Sequence, residues 1–264
     1  MAGNTRVVVA GYGRLGAELA RGLAQASGIE LAGIARRHPD GEHLTIGGQT
    51  VPVMADVAAL LDAVQPHVLV EASLPDAAPA HARAALERGI AAVIATSGLA
   101  TATVTALGDL CQQTGTGAVV APNLSLGAVV LMHLATVASR FFDSVDIIEM
   151  HRDKKADAPS GTALHTARMM AAARGDAFTR AATHTFTLPE VRGGTLDGIG
   201  IHSIRLPGLV AHQEVIFGGL GQTLTLRHDA TSNESYVPGL LLAIQHVRQS
   251  KELTVGLGTL LGLA

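Results

Sequence analysis

Apolar and polar residues follow two different regimes along this chain. In the first half, short runs rich in β-branched and small apolar residues fall at Arg6–Ala10, Ile29–Ala35, Val68–Ala72, Ala91–Ala95 and Ala118–Ala121. Between them lie longer Ala/Leu-rich stretches of helical spacing, at about Arg14–Ala26, Val57–Val64, Asp76–Arg88 and Thr101–Gln113. Strand and helix in regular succession predict βαβ units around a parallel sheet. Pro66, Pro75 and Pro122 fall at the expected boundaries, where proline does no harm.

After Pro122 the pattern changes. A helix over about Ser125–Arg140 leads to a strand at Ser144–Met150, and a further helix is expected over about Gly161–Ala173. Three runs follow, Ile201–Leu206, Glu214–Phe217 and Thr223–His228, separated by Gly-rich turns as in an antiparallel meander. Thr223–His228 alternates polar with apolar, so one face of that sheet is expected to lie outside the local core. A last helix, about Glu234–Arg248, precedes Leu253–Ala264, which is expected to add a strand back onto the first sheet. The fold class is therefore α/β: a doubly wound parallel sheet, and an α+β domain with a mostly antiparallel open sheet. The expected boundaries are 1–123 with 234–264 for the first and 124–233 for the second.

Composition narrows the function classes. At 264 residues, two modest domains can each bury a core without metals or disulfides. A net charge of −3 argues against a nucleic-acid partner and for small molecules. Aromatics make up 3% of the chain and Trp is absent, so the core is built from Ala, Val, Leu and Ile. The single cysteine, Cys111, reads as a buried small hydrophobe and suits a reducing compartment. Met1–Thr5 lacks the basic region of a secretory signal, so the cytoplasm is the expected location. The longest apolar run, Leu126–Ala138, is too short to span a bilayer and reads as a buried helix; no membrane partner is expected.

Two motifs carry chemistry. Val7-Val8-Val9-Ala10-Gly11-Tyr12-Gly13-Arg14-Leu15-Gly16 is a strand that runs through G-x-G-x-x-G into a helix. Gly11 allows the tight turn, Gly13 lets the backbone approach a pyrophosphate, and Gly16 permits close helix–strand packing, as in a Rossmann dinucleotide fold. About 20 residues on, where an acidic residue would hold the ribose of NAD, stand Arg36 and Arg37. Two guanidiniums at a strand end suit a 2′-phosphate, which favours NADPH while leaving NADH open.

The second motif is Glu149-Met150-His151-Arg152-Asp153-Lys154-Lys155-Ala156-Asp157-Ala158-Pro159-Ser160-Gly161-Thr162-Ala163-Leu164. His151 can pass a proton near neutral pH, and Lys155 four residues later can protonate or polarise a nitrogen or oxygen. Ser160 is a good N-cap, and the N–H groups after it offer partial positive charge to a carboxylate. Arg152 and Lys154 would face water in an extended segment, and Asp157 reads as a turn anchor.

With these residues in place, the chain resembles the 4-hydroxy-tetrahydrodipicolinate reductase (dihydrodipicolinate reductase) family of lysine biosynthesis. The second motif matches the family's E-x-H-H-x-x-K-x-D-A-P-S-G-T-A; Ile199–Arg205 and Gly208–Gly218 continue the match, and Ala121–Gly127 looks like its interdomain segment. The resemblance implies an NAD(P)H-dependent reductase of a cyclic dicarboxylate imine, with His151 and Lys155 as the proton-donating pair. It places a substrate carboxylate on Ser160, Gly161 and Thr162, with Arg152 also at the substrate. Around the cofactor it implies Gly11, Tyr12, Gly13, Arg14, Leu15, Gly16, Arg36, Arg37, Ser73, Thr96, Ser97, Gly98, Ala121 and Asn123. It implies a homotetramer built through the open sheets, and no metal. Three positions depart from the pattern: Arg152 replaces a second histidine, Ala95-Thr96-Ser97-Gly98 replaces G-T-T-G, and Glu71-Ala72-Ser73 replaces D-F-T. Two competing readings remain at this point. One is another amino-acid dehydrogenase of similar layout, acting on aspartate or diaminopimelate; the other is a non-catalytic NAD(P) sensor, which needs the glycines but no proton donor.

Overall fold

The computed structural model describes residues 3–189 and 191–263, and it divides into two compact units. The first runs through Leu126 and resumes at Asn233; the second is Gly127–Ser232. In chain order the first unit contributes β1 (Thr5–Ala10), α1 (Arg14–Gln25), β2 (Ile29–Ala35), β3 (His43–Ile46), β4 (Gln49–Met54) and α2 (Val57–Val64). It continues with β5 (Val68–Glu71), α3 (Ala78–Leu86), β6 (Ala91–Ile94), α4 (Thr101–Thr114) and β7 (Ala118–Val120). The second unit holds α5 (Leu126–Ala138), β8 (Ser144–His151), α6 (Gly161–Arg174), β9 (Gly194–Leu196), β10 (Ile199–Arg205), β11 (Ala211–Gly219) and β12 (Gln222–Ala230). The chain then returns to the first unit as α7 (Val237–Val247), β13 (Leu253–Val255) and α8 (Leu257–Leu260).

The first sheet has the order β13-β7-β6-β5-β1-β2-β4-β3, and all its pairings are parallel except β3 with β4. β1 explains why its strands read as continuous apolar runs. Val7 and Val9 enter one core with Leu19, Leu23, Leu240 and Ile244, whereas Val8 and Ala10 enter another with Leu60, Leu61 and Ala85. Both faces are covered by helices, so both phases of the strand must be apolar. The sheet order reverses at β1, with β2 on one side and β5 on the other, and such a switch point opens a crevice at the strands' carboxyl ends.

The second sheet has the order β12-β11-β8-β10-β9 and is mostly antiparallel. Its topology corrects the expected meander: β11 and β12 form a hairpin, but β8 lies between β11 and β10, and β10 runs parallel to β8. Short Gly-rich connections mimic hairpin loops in a sequence, but pairing is decided by which strand's apolar face fits the shared core. Val145 and Ile147 of β8, buried with Ile199 and Ile201 of β10 and Val215 and Phe217 of β11, take that central place. The β3–β4 hairpin and β9 were not expected; they are short, and Gly47-Gly48 with Pro52 disguised the first as a loop.

α5 is amphipathic rather than buried throughout. Val129, Leu131, Met132 and Ala135 are buried, while Val130, Leu134 and Val137 form an exposed stripe. Of the expected C-terminal strand, Leu253–Val255 pairs with β7 and the chain then turns into α8; Ala264 lies outside the described residues. Cys111 is buried in an apolar cluster with Leu107 and Leu110, and burial pushes its thiol pKa up.

Candidate active site

In the first unit, the turn after β1 meets the end of β5. Gly11 has φ +92°, and a Cβ there would come within 2.6 Å of the Ala72 carbonyl and the Ser73 Cα. Gly16 is tighter still, since its Cβ would lie 1.8 Å from the Gly11 carbonyl oxygen. Both glycines are demanded by the fold itself. Gly13 differs: it caps α1 with an extended backbone, and a Cβ there would meet nothing within 4 Å. A cavity of about 750 Å³ opens at this turn, lined by Gly11, Tyr12, Gly13, Arg14 and Leu15, by Arg36, Arg37 and His38 after β2, and by Ser73 and His81. The residues therefore suit a dinucleotide: a bare helix start for phosphates, and guanidiniums at the far strand end.

Other expected cofactor residues do not line this cavity. Gly16 is packing; Ala121 is buried in the core after β7, and the Asn123 Oδ1 accepts the Ser125 N–H at 3.0 Å. Thr96 is buried and its hydroxyl donates to Glu71 Oε1 and to the Ser73 carbonyl, both at 3.3 Å. Ser97 and Gly98 follow it, with Gly98 at φ +80°. Glu71, the residue that replaces aspartate, is fully buried and also receives the Ser73 N–H at 2.6 Å and faces His81 Nδ1 at 2.7 Å. It thereby fastens the Ala72–Ser73 backbone against which Gly11 packs. Arg36 is partly held by Asp40, at 2.9 Å.

In the second unit, β8 alternates so that Val145, Ile147 and Glu149 point into the core, with His151 next on the same face. Glu149 is a carboxylate with no exposure, on a stripe otherwise apolar. Donors from several segments face it. His151 Nδ1 lies 2.5 Å from Oε2, and the Ser160 N–H donates to Oε1 at 3.2 Å. Arg205, beside His151 on β10, donates from Nη1 to Oε2 at 2.9 Å and from Nη2 to Oε1 at 2.7 Å. Burial pushes the Glu149 pKa up, but the hydrogen bonds from His151, Arg205 and Ser203 outweigh it and bring the carboxyl from 4.5 down to about 2.

Ser160 then caps α6, its hydroxyl accepting the Ala163 N–H at 3.2 Å, and its carbonyl accepts the Leu164 N–H. The Gly161 and Thr162 amides are left without an intrahelical acceptor. Behind them, Gln213 Nε2 donates to Thr166 Oγ1, which donates to the Thr162 carbonyl, each at 2.8 Å. Lys155 does not stand alone: its Nζ lies 2.7 and 2.8 Å from the two Asp157 oxygens, and this partner lowers the Asp157 pKa. Asp157 is thus more than the turn anchor expected of it. Arg152 also departs from expectation. The chain after β8 is not extended, and the Arg152 Nε is buried without a hydrogen-bond partner.

The structure thus brings His151 and Ser160 together through one carboxylate and places Lys155 on the loop between them. Sequence reasoning gave no role to Glu149 and Arg205. The signal was present: in the alternation of β8 and β10, an acidic and a basic residue both fall on the core-facing phase, where a charge must find a partner.

Family models described as "Dihydrodipicolinate reductase, N-terminus" and "Dihydrodipicolinate reductase, C-terminus" match residues 5–124 and 127–261. The chain belongs to the dihydrodipicolinate reductase family. It is 46% identical to the 4-hydroxy-tetrahydrodipicolinate reductase of Moorella thermoacetica, with 99% of each chain covered. It is 41% identical to that of Geobacillus kaustophilus, over 96% of this chain and 97% of the relative. A dipicolinate-bound dihydrodipicolinate reductase from Paenisporosarcina sp. TG-14 superposes with a TM-score of 0.86 at 35% identity, covering 97% of this chain and 99% of that one. An amine dehydrogenase from Mycobacterium smegmatis, TM-score 0.65 at 16% identity over 93% of both chains, shares the fold alone. Family membership makes the chain an NAD(P)H-dependent oxidoreductase, which disposes of the sensor reading.

Proposed function

We propose that His151 and Lys155 supply the proton, and Ser160, Gly161 and Thr162 hold a substrate carboxylate, in the family's reduction of 4-hydroxy-tetrahydrodipicolinate to tetrahydrodipicolinate on the way to diaminopimelate and lysine. The observation that carries these roles is the shared Glu149 carboxylate, which joins the His151 ring to the start of α6. The nicotinamide supplies the hydride when bound. Hydride addition to a conjugated imine leaves an electron pair that needs a proton, so a positioned acid is required.

An ionised Glu149 can only accept, so the His151 proton facing it sits on Nδ1. Nε2 is then the nitrogen that exchanges a proton with substrate. Lys155, with Asp157 as counter-charge, adds a second cation beside the dicarboxylate. The Gly161 and Thr162 amides, at the positive end of α6, point their hydrogens at one carboxylate. Arg152, with a buried and unpartnered Nε, is the further candidate for the other carboxylate.

NADPH is the preferred cofactor in this reading, because Arg36 and Arg37 line the cavity at the end of β2. Gly11 to Leu15 and Ser73 complete the nucleotide wall, Gly16 serves it only by letting α1 start close to the Gly11 turn, and Thr96, Ser97, Gly98, Ala121 and Asn123 are further cofactor positions. The assembly is a homotetramer through the open sheets, for which the exposed Leu220 and Leu224 beside and on β12 speak. The location is the cytoplasm, which suits a chain with a single, buried cysteine. Among the described residues no helix is long and apolar enough to cross a membrane.

Oxidation of NADPH by the purified protein, supplied with substrate freshly made by the preceding synthase, tests the activity; no turnover above background refutes it. His151→Gln should lower kcat about 10²-fold or more with NADPH affinity kept. Sedimentation analysis of the same preparation checks the tetramer.

A further inference from the structure

A buried ion pair is a poor device for stability, because apolar residues of similar volume often serve as well or better. Yet the apolar core stripe of β8, Val145 and Ile147, runs into the fully buried Glu149, and on the matching phase of β10, past Ile201 and the exposed Ser203, stands the partly exposed Arg205. The two side chains meet fork to fork. Apart from bonds within β10, from Arg205 Nη1 to the Ile204 carbonyl and from Ser203 to Glu149, their remaining bonds go to the segment that carries the proposed substrate residues. Glu149 takes His151 Nδ1 on one oxygen and the Ser160 N–H on the other. Arg205 Nη2 also donates to the Asp157 carbonyl at 2.7 Å, and Asp157 holds Lys155.

We propose that the Glu149–Arg205 pair is the positioning element of the reductase site. It decides which nitrogen of His151 exchanges the proton and holds three separate chain segments at one spacing. Glu149, as an anion, confines the His151 proton to Nδ1 and sets the Ser160–Gly161 turn. Arg205 neutralises that anion in the core and ties the Lys155 loop to it. In turnover the His151 Nε2–H bond breaks as the bond from that proton to substrate forms. The imidazole is left neutral with its proton still on Nδ1, donated to the Glu149 carboxylate, and Nε2 is recharged from solvent. Neither Glu149 nor Arg205 gains or loses a proton. This inference rests on His151 being the acid.

Kinetics and nitrogen-15 NMR of the full-length enzyme test it, with the His151 ring assigned by its disappearance in His151→Gln. The wild-type ring should be protonated at Nδ1 in its neutral form. Glu149→Gln keeps the shape but removes the obligatory acceptor. It should lower kcat about 10²-fold, raise KM for the dicarboxylate severalfold and mix the two tautomers, with the NADPH Kd changed by less than about twofold. Arg205→Lys, which keeps the charge without the fork, should lose less than Glu149→Gln in kcat while raising the same KM. If Glu149→Gln does not fold, the wild-type spectrum and Arg205→Lys decide. A wild-type ring protonated at Nε2 overturns the proposal, as does a folded Glu149→Gln or Arg205→Lys with wild-type kcat and KM. Full turnover by His151→Gln overturns the acid assignment itself, whereas an inactive His151→Gln beside an unimpaired Glu149→Gln overturns the positioning role alone.

Discussion

Gly13→Ala and Gly16→Ala should fail in opposite ways, although they sit three residues apart in one motif. At Gly16 the new Cβ would stand 1.8 Å from the Gly11 carbonyl oxygen and 2.9 Å from its carbon. Both atoms are backbone, so no rotamer change relieves the overlap, and the cost should reach about 3 kcal/mol or more. For a unit of this size that lowers Tm by roughly 6 °C or more. At Gly13 the backbone is extended, at φ −81°, and the Cβ meets nothing within 4 Å. Alanine is a poorer N-cap than glycine by about 0.5–1 kcal/mol. It also removes about 0.4–1 kcal/mol of unfolded-chain freedom, so the two effects nearly cancel. Gly13→Ala should therefore melt like the wild type, yet bind NADPH at least about tenfold more weakly, about 1.4 kcal/mol, because the space it fills is where a pyrophosphate approaches the backbone. Melting by circular dichroism and titration calorimetry with NADPH give both numbers. A Gly13→Ala protein with wild-type affinity refutes the placement of the phosphates, and a Gly16→Ala protein with wild-type Tm refutes the packing argument.

Arg36→Ala should raise KM for NADPH about tenfold and leave NADH nearly unchanged; equal losses for both nucleotides would remove the 2′-phosphate argument. The Glu149 carboxyl, held at about 2 in the fold against 4.5 ordinarily, makes an acid-stability prediction. Because the folded pKa is lowered, its contribution of about 3 kcal/mol is present in full above about pH 5 and is lost as pH falls towards 2. Glu149→Gln should show a shallower loss of stability over that range in denaturant titrations, and matching slopes for the two proteins would contradict it. Lys155→Met should lower kcat about 10²-fold while leaving Tm within about 1 °C, since Lys155 and Asp157 form a pair on a partly exposed loop; a large fall in Tm would make Lys155 structural.

Much of this protein was legible from local order along the chain. The strand–glycine–helix turn of Gly11, Gly13 and Gly16 is read from a short motif, and Gly16 meets its constraint inside that motif at the Gly11 carbonyl, although glycine at Gly11 is demanded by the distant Ala72–Ser73 backbone. The βαβ succession likewise gave away the parallel strands β1, β2, β5, β6 and β7 of the first sheet, because parallel strands need crossovers, but not the β3–β4 hairpin at its edge. The Ser160 cap and the amides after it were also local, set by φ, ψ and a single hydroxyl. What the sequence did not determine were pairings between distant segments. β8 enters between β10 and β11 because its apolar face completes their core, a long-range fit that turn residues do not report. Glu149 and Arg205 are 56 positions apart, and only that strand order lays them side by side. The residues proposed for the chemistry were thus read from the sequence, while the ion pair proposed to hold them in place came from the sheet, where a buried charge is tolerated only with its partner in reach.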